Sequence, residues 1–85
     1  MRDIKFVKSK VAGCTKIFVD GVEMETRFDD KAMTSYRINR LKLPPIYGQQ
    51  IIDLLIKKLN NDHVNFTKTE IAFIVDYAKS ELGIF

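Results

Sequence analysis

The residues best suited to chemistry are few in this chain, and they lie far apart in the sequence. His63 is the only histidine and Cys14 the only cysteine. Zinc sites usually draw three or four ligands from such residue types, so these two do not predict a metal site. A Cys–His or Ser–His–Asp centre needs a histidine beside the nucleophile, and one histidine leaves few such arrangements. We expect His63 to be a loop residue and Cys14 to fill a tight corner beside Gly13.

Other patterns associated with catalysis are weak. The segment KVAGCTK has a glycine near a lysine, but it lacks the first glycine and the spacing of a phosphate-binding loop. Glu23 and Glu25 alternate along a predicted strand, which is typical of a solvent-exposed face, whereas catalytic carboxylates usually need burial or a close like charge. We therefore expect a protein that is not an enzyme and that holds neither a metal nor a cofactor.

The charges are segregated along the chain, whose net charge is +3. Residues 20–30 carry five acidic side chains and one basic one. Residues 1–10 and 31–45 each carry four basic side chains, with at most one acidic side chain. Such an asymmetry is informative about partners rather than about fold.

The basic residues of the first and fourth predicted strands suggest a polyanion-binding surface. If those strands lie close together, their cations form one surface suited to a phosphate backbone, with an affinity that falls as salt rises. Tyr36 is the best candidate for stacking on an unpaired base, which favours single-stranded or looped RNA. An alternative explanation is that these cations protect an edge strand from pairing with another chain. The residues of this predicted site are Lys5, Lys8, Lys10, Tyr36, Arg37, Arg40 and Lys42.

A different interpretation is a module that binds another protein. Glu23 and Glu25 give an acidic hairpin, and Phe73 and Tyr77 lie four residues apart at the side of the apolar stripe of the last helix. The two aromatic residues either widen the buried face of that helix or form an apolar patch for a second chain. Residues 84–85 are a further candidate contact.

The elements that must position these residues begin with a β-hairpin. The dipeptide Asp-Gly at residues 20–21 lies between two alternating runs and favours a two-residue turn with positive φ at both positions. This turn predicts that Val19 faces Val22 and that Lys16 faces Glu25. The residues predicted on the core face of the hairpin are Ile17, Val19, Val22 and Met24.

Two more strands are predicted, one on either side of this hairpin. Residues 3–11 form the first, which turns at Gly13 into the second. Residues 35–43 form the fourth, in which one extra residue near position 39, a β-bulge, brings all its apolar residues to one face. The two prolines that follow end this strand, because proline cannot continue the hydrogen-bonded ladder.

The second half of the chain predicts two helices. Pro45 begins the first, which runs to about Asn60 with an apolar stripe along one side. The second helix begins with a capping box made by Thr67 and Glu70 and ends at Gly83, which is well suited to the C′ position. The predicted fold class is α+β, in which three or four antiparallel strands are followed by two helices that pack on one face of the sheet.

Size and composition indicate a single domain. The chain has 85 residues, 46% of them hydrophobic, and no apolar run approaches the length of a signal-peptide core or a bilayer span. One cysteine cannot form an internal disulfide, so nothing points to an oxidising compartment. We expect a cytoplasmic protein that does not bind membranes. An uncovered sheet face in so small a chain also leaves a homodimer open.

In its length, initiating Met1, basic charge and lack of motifs, the chain resembles the short accessory proteins of large tailed phages. The resemblance covers no particular residues. It implies a protein that binds and inhibits host or defence factors, including toxin ribonucleases, in some cases with RNA involved. The predicted function is to bind RNA or another polyanion on the basic sheet surface, either alone or as an inhibitor of a nucleic-acid-handling host protein. The alternative is a purely protein–protein inhibitor or adaptor that uses the acidic hairpin or the last helix.

Overall fold

The computed structural model describes residues 1–84, which form three strands followed by three helices. The strands make one antiparallel sheet in the order β1-β2-β3, so β1 and β3 are its two edge strands. The predicted α+β class with a three-stranded antiparallel sheet is confirmed. The elements are β1 (Ile4–Ser9), β2 (Cys14–Val19), β3 (Val22–Asp29), α1 (Asp30–Asn39), α2 (Ile46–Asn60) and α3 (Lys68–Leu82).

The turn between β2 and β3 has the predicted conformation. φ is positive at both turn residues, 50° at Asp20 and 82° at Gly21, as a type I′ turn requires. Val19 and Val22 face each other across the turn. The local sequence was sufficient here because few residue pairs adopt this backbone without strain.

The register of the hairpin shifts beyond Phe18. At this point one residue of β2 lies opposite three residues of β3, because the pairing passes from Phe18–Glu23 to Lys16–Arg27. The predicted pairing of Lys16 with Glu25 is therefore wrong. The Nζ atom of Lys16 instead lies 3.1 Å from Oε1 of Glu23. Because the shift is by two residues, the alternation of side chains between the two faces is kept.

The hydrophobic core is a single cluster drawn from the three strands and from α2 and α3. β3 shows the alternation most clearly, because Met24, Thr26 and Phe28 are buried and the residues between them are exposed. Val22, which the hairpin predicts on the core face, is exposed beside the turn. The cluster consists of Ile4, Ile17, Val19, Met24, Phe28, Ile52, Leu55, Leu59, Ile74, Val75, Ala78 and Leu82.

The predicted fourth strand over residues 35–43 is wrong, because most of this segment belongs to α1. The carboxylate of Asp29 caps the helix by accepting a hydrogen bond from the N–H of Ala32 at 3.1 Å. Met33 and Tyr36, three residues apart, pack against the core cluster from one side of the helix. The helix thus turns two partly buried residues at helical spacing toward the core, and residues 40–43, which follow it, are not in a strand.

The two predicted helices are present with the predicted ends. α2 begins one residue after Pro45 and ends at Asn60. At the start of α3 the Thr67 hydroxyl accepts the N–H of Glu70 at 3.2 Å, and the Glu70 carboxylate accepts the N–H of Thr67 at 2.9 Å. Gly83 ends α3 in the left-handed conformation, with φ of 77°. Within residues 1–84, no helix has both the length and the apolar character needed to cross a membrane.

Candidate functional site

The arginines predicted to line a sheet surface lie instead at the C-terminal end of α3. Arg37 is on α1 and Arg40 directly follows that helix. Arg37 Nη1 donates to the carbonyl of Glu81 at 3.4 Å, and Arg40 Nη1 donates to the carbonyl of Gly83. Cations are favourable at this position because the last carbonyls of a helix lack partners within the helix. The predicted basic sheet surface is wrong in its geometry, since its central residues are not in a strand.

The lysines of the predicted basic surface are divided between several places. Lys8 Nζ lies 3.3 Å from Oε2 of Glu81, which brings it to the same end of α3 as the two arginines. Lys5 lies nearer the start of β1, 3.7 Å from a neighbouring carboxylate. Lys10 shares a surface hollow with α1. Lys10 and Lys42 are exposed, and neither forms an ion pair within the part of the chain that is described.

Tyr36, the predicted stacking residue, is half-buried. Its ring packs against the core cluster. A Cβ at Gly48 of α2 would lie 2.5 Å from the Tyr36 hydroxyl oxygen, so the glycine lets α1 approach α2 closely. Tyr36 therefore holds α1 against α2, and its ring is not presented as an open stacking platform.

Phe73 and Tyr77 belong to an aromatic cluster between α3 and the sheet. The ring of Phe6 lies parallel to that of Tyr77 with centroids 3.8 Å apart, and its centroid is 5.9 Å from that of Phe73. Phe28 adds a fourth ring, 5.6 Å from Tyr77. Burial raises the pKa of the Tyr77 hydroxyl, and the nearby carboxylate of Glu81 adds to this effect. Tyr77 packs against the core cluster and widens the buried face of α3, whereas Phe73 remains 41% exposed.

The remaining predicted protein contacts are dispersed. Glu23 is exposed and forms an ion pair across to β2. Glu25 is exposed, with Oε1 3.6 Å from Nδ1 of His63. Ile84 is partly buried against the core cluster, and Phe85 lies outside the described residues. These positions do not converge on one surface.

A groove that the sequence analysis did not predict lies along the free edge of β3. Arg27, Phe28 and Asp29 line one part of it, and Glu25, Thr26 and Arg27 line the other. Successive residues of a strand project to opposite faces of a sheet. A hollow lined by consecutive residues therefore lies along the edge of the strand, and the other edge of β3 is paired with β2.

α2 forms the opposite wall of this hollow, which we call the β3–α2 groove. Its deeper part is a cavity of about 220 Å³. Leu54 is 53% exposed and Ile51 is 36% exposed, although both belong to the apolar lining. The large apolar residues that line the cavity are Phe28, Met33, Ile51, Leu54, Leu55 and Leu82.

The rim of the β3–α2 groove carries three cations, which are Arg27, Lys57 and Lys58. Within residues 1–84 no carboxylate lies within ion-pair distance of any of them. Of the three carboxylates at the groove, one caps α1, one is buried against a β3 hydroxyl, and one lies beside the imidazole of His63. The groove thus combines an apolar floor with three cations and three carboxylates, so its lining carries no net charge.

The most strongly perturbed carboxylate has a structural role. The side chain of Glu70 is 1% exposed and accepts hydrogen bonds from Arg2 Nε at 2.8 Å and Arg2 Nη2 at 2.6 Å. These bonds, followed by the one from the backbone N–H of Thr67, lower the pKa of Glu70 to about 2. Arg2 also donates to the carbonyl of Val64 at 3.2 Å. The pair ties the first residues of the chain to α3, and every oxygen of the carboxylate is engaged.

The residues with catalytic potential stay apart in the fold. Cys14 is buried and free, whereas His63 is exposed in the loop between α2 and α3. His63 Nδ1 lies 3.3 Å from Asp62 Oδ1, and the Thr26 hydroxyl donates to Oδ2 of the same carboxylate at 3.0 Å. Among residues 1–84 there is no group of three or more side chains that could hold a metal ion.

No protein-family model matches the sequence, and comparisons with curated proteins and with solved structures find no significant match. Function must therefore be inferred from the surfaces of the chain itself. One sequence signal pointed toward the β3–α2 groove, because Leu54 lies outside the predicted buried stripe of α2 and is a large apolar residue. The other walls of the groove could not be predicted, since they depend on where α1 and β3 lie in the fold.

Proposed function

We propose that the chain is a protein-binding module that acts as an inhibitor or adaptor and docks its partner in the β3–α2 groove. The observation that carries this proposal is an apolar cavity that stays open to solvent in the folded chain, with Leu54 and Ile51 incompletely covered. Clustered apolar surface of this kind is typical of docking sites. Covering it stabilises a complex by roughly 25 cal/mol for each Å² of apolar area.

The groove supports a docking function better than the two contacts expected from the sequence. Phe73 and Tyr77 pack part of their surface against Phe6 in the aromatic cluster. Glu23 is engaged with Lys16. These side chains therefore leave less surface free for contact with a partner than the groove does.

The test is crosslinking in a lysate of the source cells, with wild type compared with Leu54→Asp. We expect a defined partner that wild type captures and Leu54→Asp loses, because a carboxylate in the groove is costly to bury. Val7→Asp is the matched control. Val7 is 46% exposed, and it lies on the sheet face that we infer the helices leave open. A partner that is lost equally with both variants, or with neither, contradicts the proposal.

Binding of RNA or another polyanion is a second candidate function. It is supported by Lys8, Arg37 and Arg40, whose side chains lie together at the C-terminal end of α3. Both guanidinium groups are exposed and keep further donors free for phosphate oxygens. Lys10 and Lys42 are further exposed cations and are not engaged in ion pairs within the described chain.

Salt-dependent binding of a labelled single-stranded RNA tests the second candidate. With about four phosphate contacts, the affinity should fall roughly 50-fold between about 50 and 200 mM salt. Lys10→Glu/Lys42→Glu should weaken binding without removing the contacts that Arg37 and Arg40 make to α3. Lys57→Glu/Lys58→Glu changes the net charge equally and should bind better than the first variant. Wild type that does not bind at low salt excludes this function.

Inhibition of a nucleic-acid-handling host protein, such as a toxin ribonuclease, stays a prediction. It is compatible with either docking surface. The identity of the crosslinked partner would show directly whether the chain binds such a protein.

A further inference from the structure

The segment that joins α1 to α2 carries a large share of the exposed apolar side chains. Within residues 1–84, eleven large apolar residues are exposed, and four of them fall in the ten positions 38–47. Single exposed apolar residues are common on protein surfaces, whereas a cluster of them marks a contact site. We call residues 37–47 the α1–α2 corner. Its exposed apolar residues are Ile38, Leu41, Ile46 and Tyr47.

Two of these side chains protrude from the outer side of α1. The helix packs on the core cluster through Tyr36. Ile38, two positions further, points away from the core, because successive residues of a helix are about 100° apart. The backbone stays helical at the C-cap of α1, so Leu41 and Lys42 share the side of Ile38. Ile38 is 74% exposed and Leu41 is 93% exposed, so both project into solvent.

The α1–α2 corner is also basic. The sequence has no acidic side chain from residue 31 to residue 52, and the corner itself holds the three cations Arg37, Arg40 and Lys42. Arg37 and Arg40 each donate to a carbonyl near the end of α3, and both residues remain exposed. An anionic surface is therefore complementary to the corner.

Three carboxylates near the corner do not cancel this charge. Glu81 on α3 lies 3.3 Å from Nζ of Lys8, so these two charges offset each other. Asp30 and Asp53 lie on α1 and α2 outside the corner, each about 10 Å from it along its helix. The corner thus keeps a net positive charge beside its apolar side chains.

This combination favours a lipid surface over a partner of fixed shape. Leu41, Ile46 and Tyr47 do not line the hollows described above, so a protein partner would have to supply a pocket for each of them. A phosphate backbone would engage the cations but leave the aliphatic side chains in water. An anionic bilayer accommodates both, because apolar side chains enter the boundary of its acyl region while its headgroups attract Lys and Arg. A tyrosine ring also suits the headgroup level.

We propose that the α1–α2 corner docks the chain reversibly on an anionic phospholipid surface, with Ile38 and Leu41 inserted and the cations of the corner among the headgroups. The contact is separate from the proposed protein-binding function, because these residues do not line the β3–α2 groove. The expectation that the chain does not bind membranes came from the lack of a long apolar run, and a peripheral contact needs no such run.

Flotation with two kinds of vesicle tests the contact. Wild type should bind vesicles of equimolar phosphatidylcholine and phosphatidylserine, should bind phosphatidylcholine alone much more weakly, and should bind less as salt rises. Leu41→Ser leaves the charge unchanged and should weaken binding about tenfold or more, because an apolar side chain no longer leaves water. Lys42→Ser should weaken it about fivefold, as expected for one cation near an anionic surface.

The matched control is Val22→Ser. Val22 is also an exposed apolar residue, but it lies beside the turn between β2 and β3. Val22→Ser should bind the mixed vesicles within about twofold of wild type, as is usual for a surface change away from the site.

A tryptophan reporter separates insertion from attraction alone. The chain contains no tryptophan, so Leu41→Trp places a single indole at the corner. Its emission should move to shorter wavelength on the mixed vesicles, because the ring enters a less polar medium. The emission of Val22→Trp should not move.

Lipid docking is excluded if wild type does not bind the mixed vesicles, or if both kinds of vesicle bind alike. It is also excluded if Leu41→Ser and Val22→Ser weaken binding equally, or if Leu41→Trp binds without a shift in emission. Single-stranded RNA that binds where mixed vesicles do not would assign the cations of the corner to RNA and would likewise exclude lipid docking.

Discussion

Glu70 is the residue on which the beginning of the chain and α3 both depend. Its carboxylate completes the capping box of α3 and also accepts two hydrogen bonds from the guanidinium of Arg2. The capping box was predictable because Thr67 and Glu70 are three residues apart in a recognised pattern. The pairing with Arg2 was not, since it joins residues 68 positions apart.

Replacing Glu70 by Gln should destabilise the fold in a pH-dependent way. The pKa of Glu70 is lowered from 4.5 to about 2, so the ionised carboxylate contributes stability that is fully present above about pH 4.5 and is lost as the pH falls toward 2. At pH 7 we expect Glu70→Gln to lower the free energy of unfolding by roughly 1–3 kcal/mol, as for other hydrogen bonds to charged groups. Urea unfolding measures this difference.

The same titration repeated near pH 2.5 provides the control. The difference in the free energy of unfolding between wild type and Glu70→Gln should become smaller, because the pH is then close to the folded-state pKa of Glu70. Exposed Glu23→Gln should show little effect at either pH. A difference in the free energy of unfolding that is equal at both pH values contradicts the role assigned to the carboxylate.

At the scale of elements, α1 shows where local pattern and tertiary structure disagree. Residues 35–43 alternate like a strand with one slip, and the strand predicted from this pattern is wrong. The helix is favoured by the Asp29 cap and by Met33 and Tyr36, which reach the core from one side. The contacts of Arg37 with the end of α3 add a stabilising term that depends on distant chain segments. The cap and the three-residue spacing were visible in the sequence, but the arginine contacts were not.

The close approach of α1 to α2 can be tested at Gly48. Ala is normally favoured over Gly inside a helix by up to about 1 kcal/mol. Here the new Cβ would lie 2.5 Å from the Tyr36 hydroxyl oxygen and 3.1 Å from Ile84 Cδ1. We therefore expect Gly48→Ala to lower the free energy of unfolding, measured by urea titration, because Tyr36 must move and α1 loosens.

A double-mutant cycle isolates the Tyr36 contact. Removing the hydroxyl leaves Cζ as the nearest Tyr36 atom, at 3.4 Å from the new Cβ. Gly48→Ala/Tyr36→Phe should therefore be more stable than Gly48→Ala alone, with a coupling of about 0.5 kcal/mol or more. If Gly48→Ala is as stable as wild type or more so, the two helices do not meet at this point.

For the whole molecule, the sequence predicted the parts better than their assembly. The meander of three strands, the Asp-Gly turn and the ends of α2 and α3 follow from local chemistry, and all are present. The position of the cations and the β3–α2 groove depend on how α1 crosses from β3 to α3. A chain of 85 residues covers a limited share of its surface, so its open edge and groove are consistent with binding as well as with small size.

The most direct measurement is a comparison of stability and partner capture for Leu54→Asp and Val7→Asp. If Leu54 serves docking, the free energy of unfolding should change by no more than about 0.5 kcal/mol in Leu54→Asp, as for other surface changes, while the partner is lost. Val7→Asp should keep both the stability of wild type and the capture of the partner. If Leu54→Asp unfolds the chain, or folds normally and still captures the partner, the β3–α2 groove is not the docking surface.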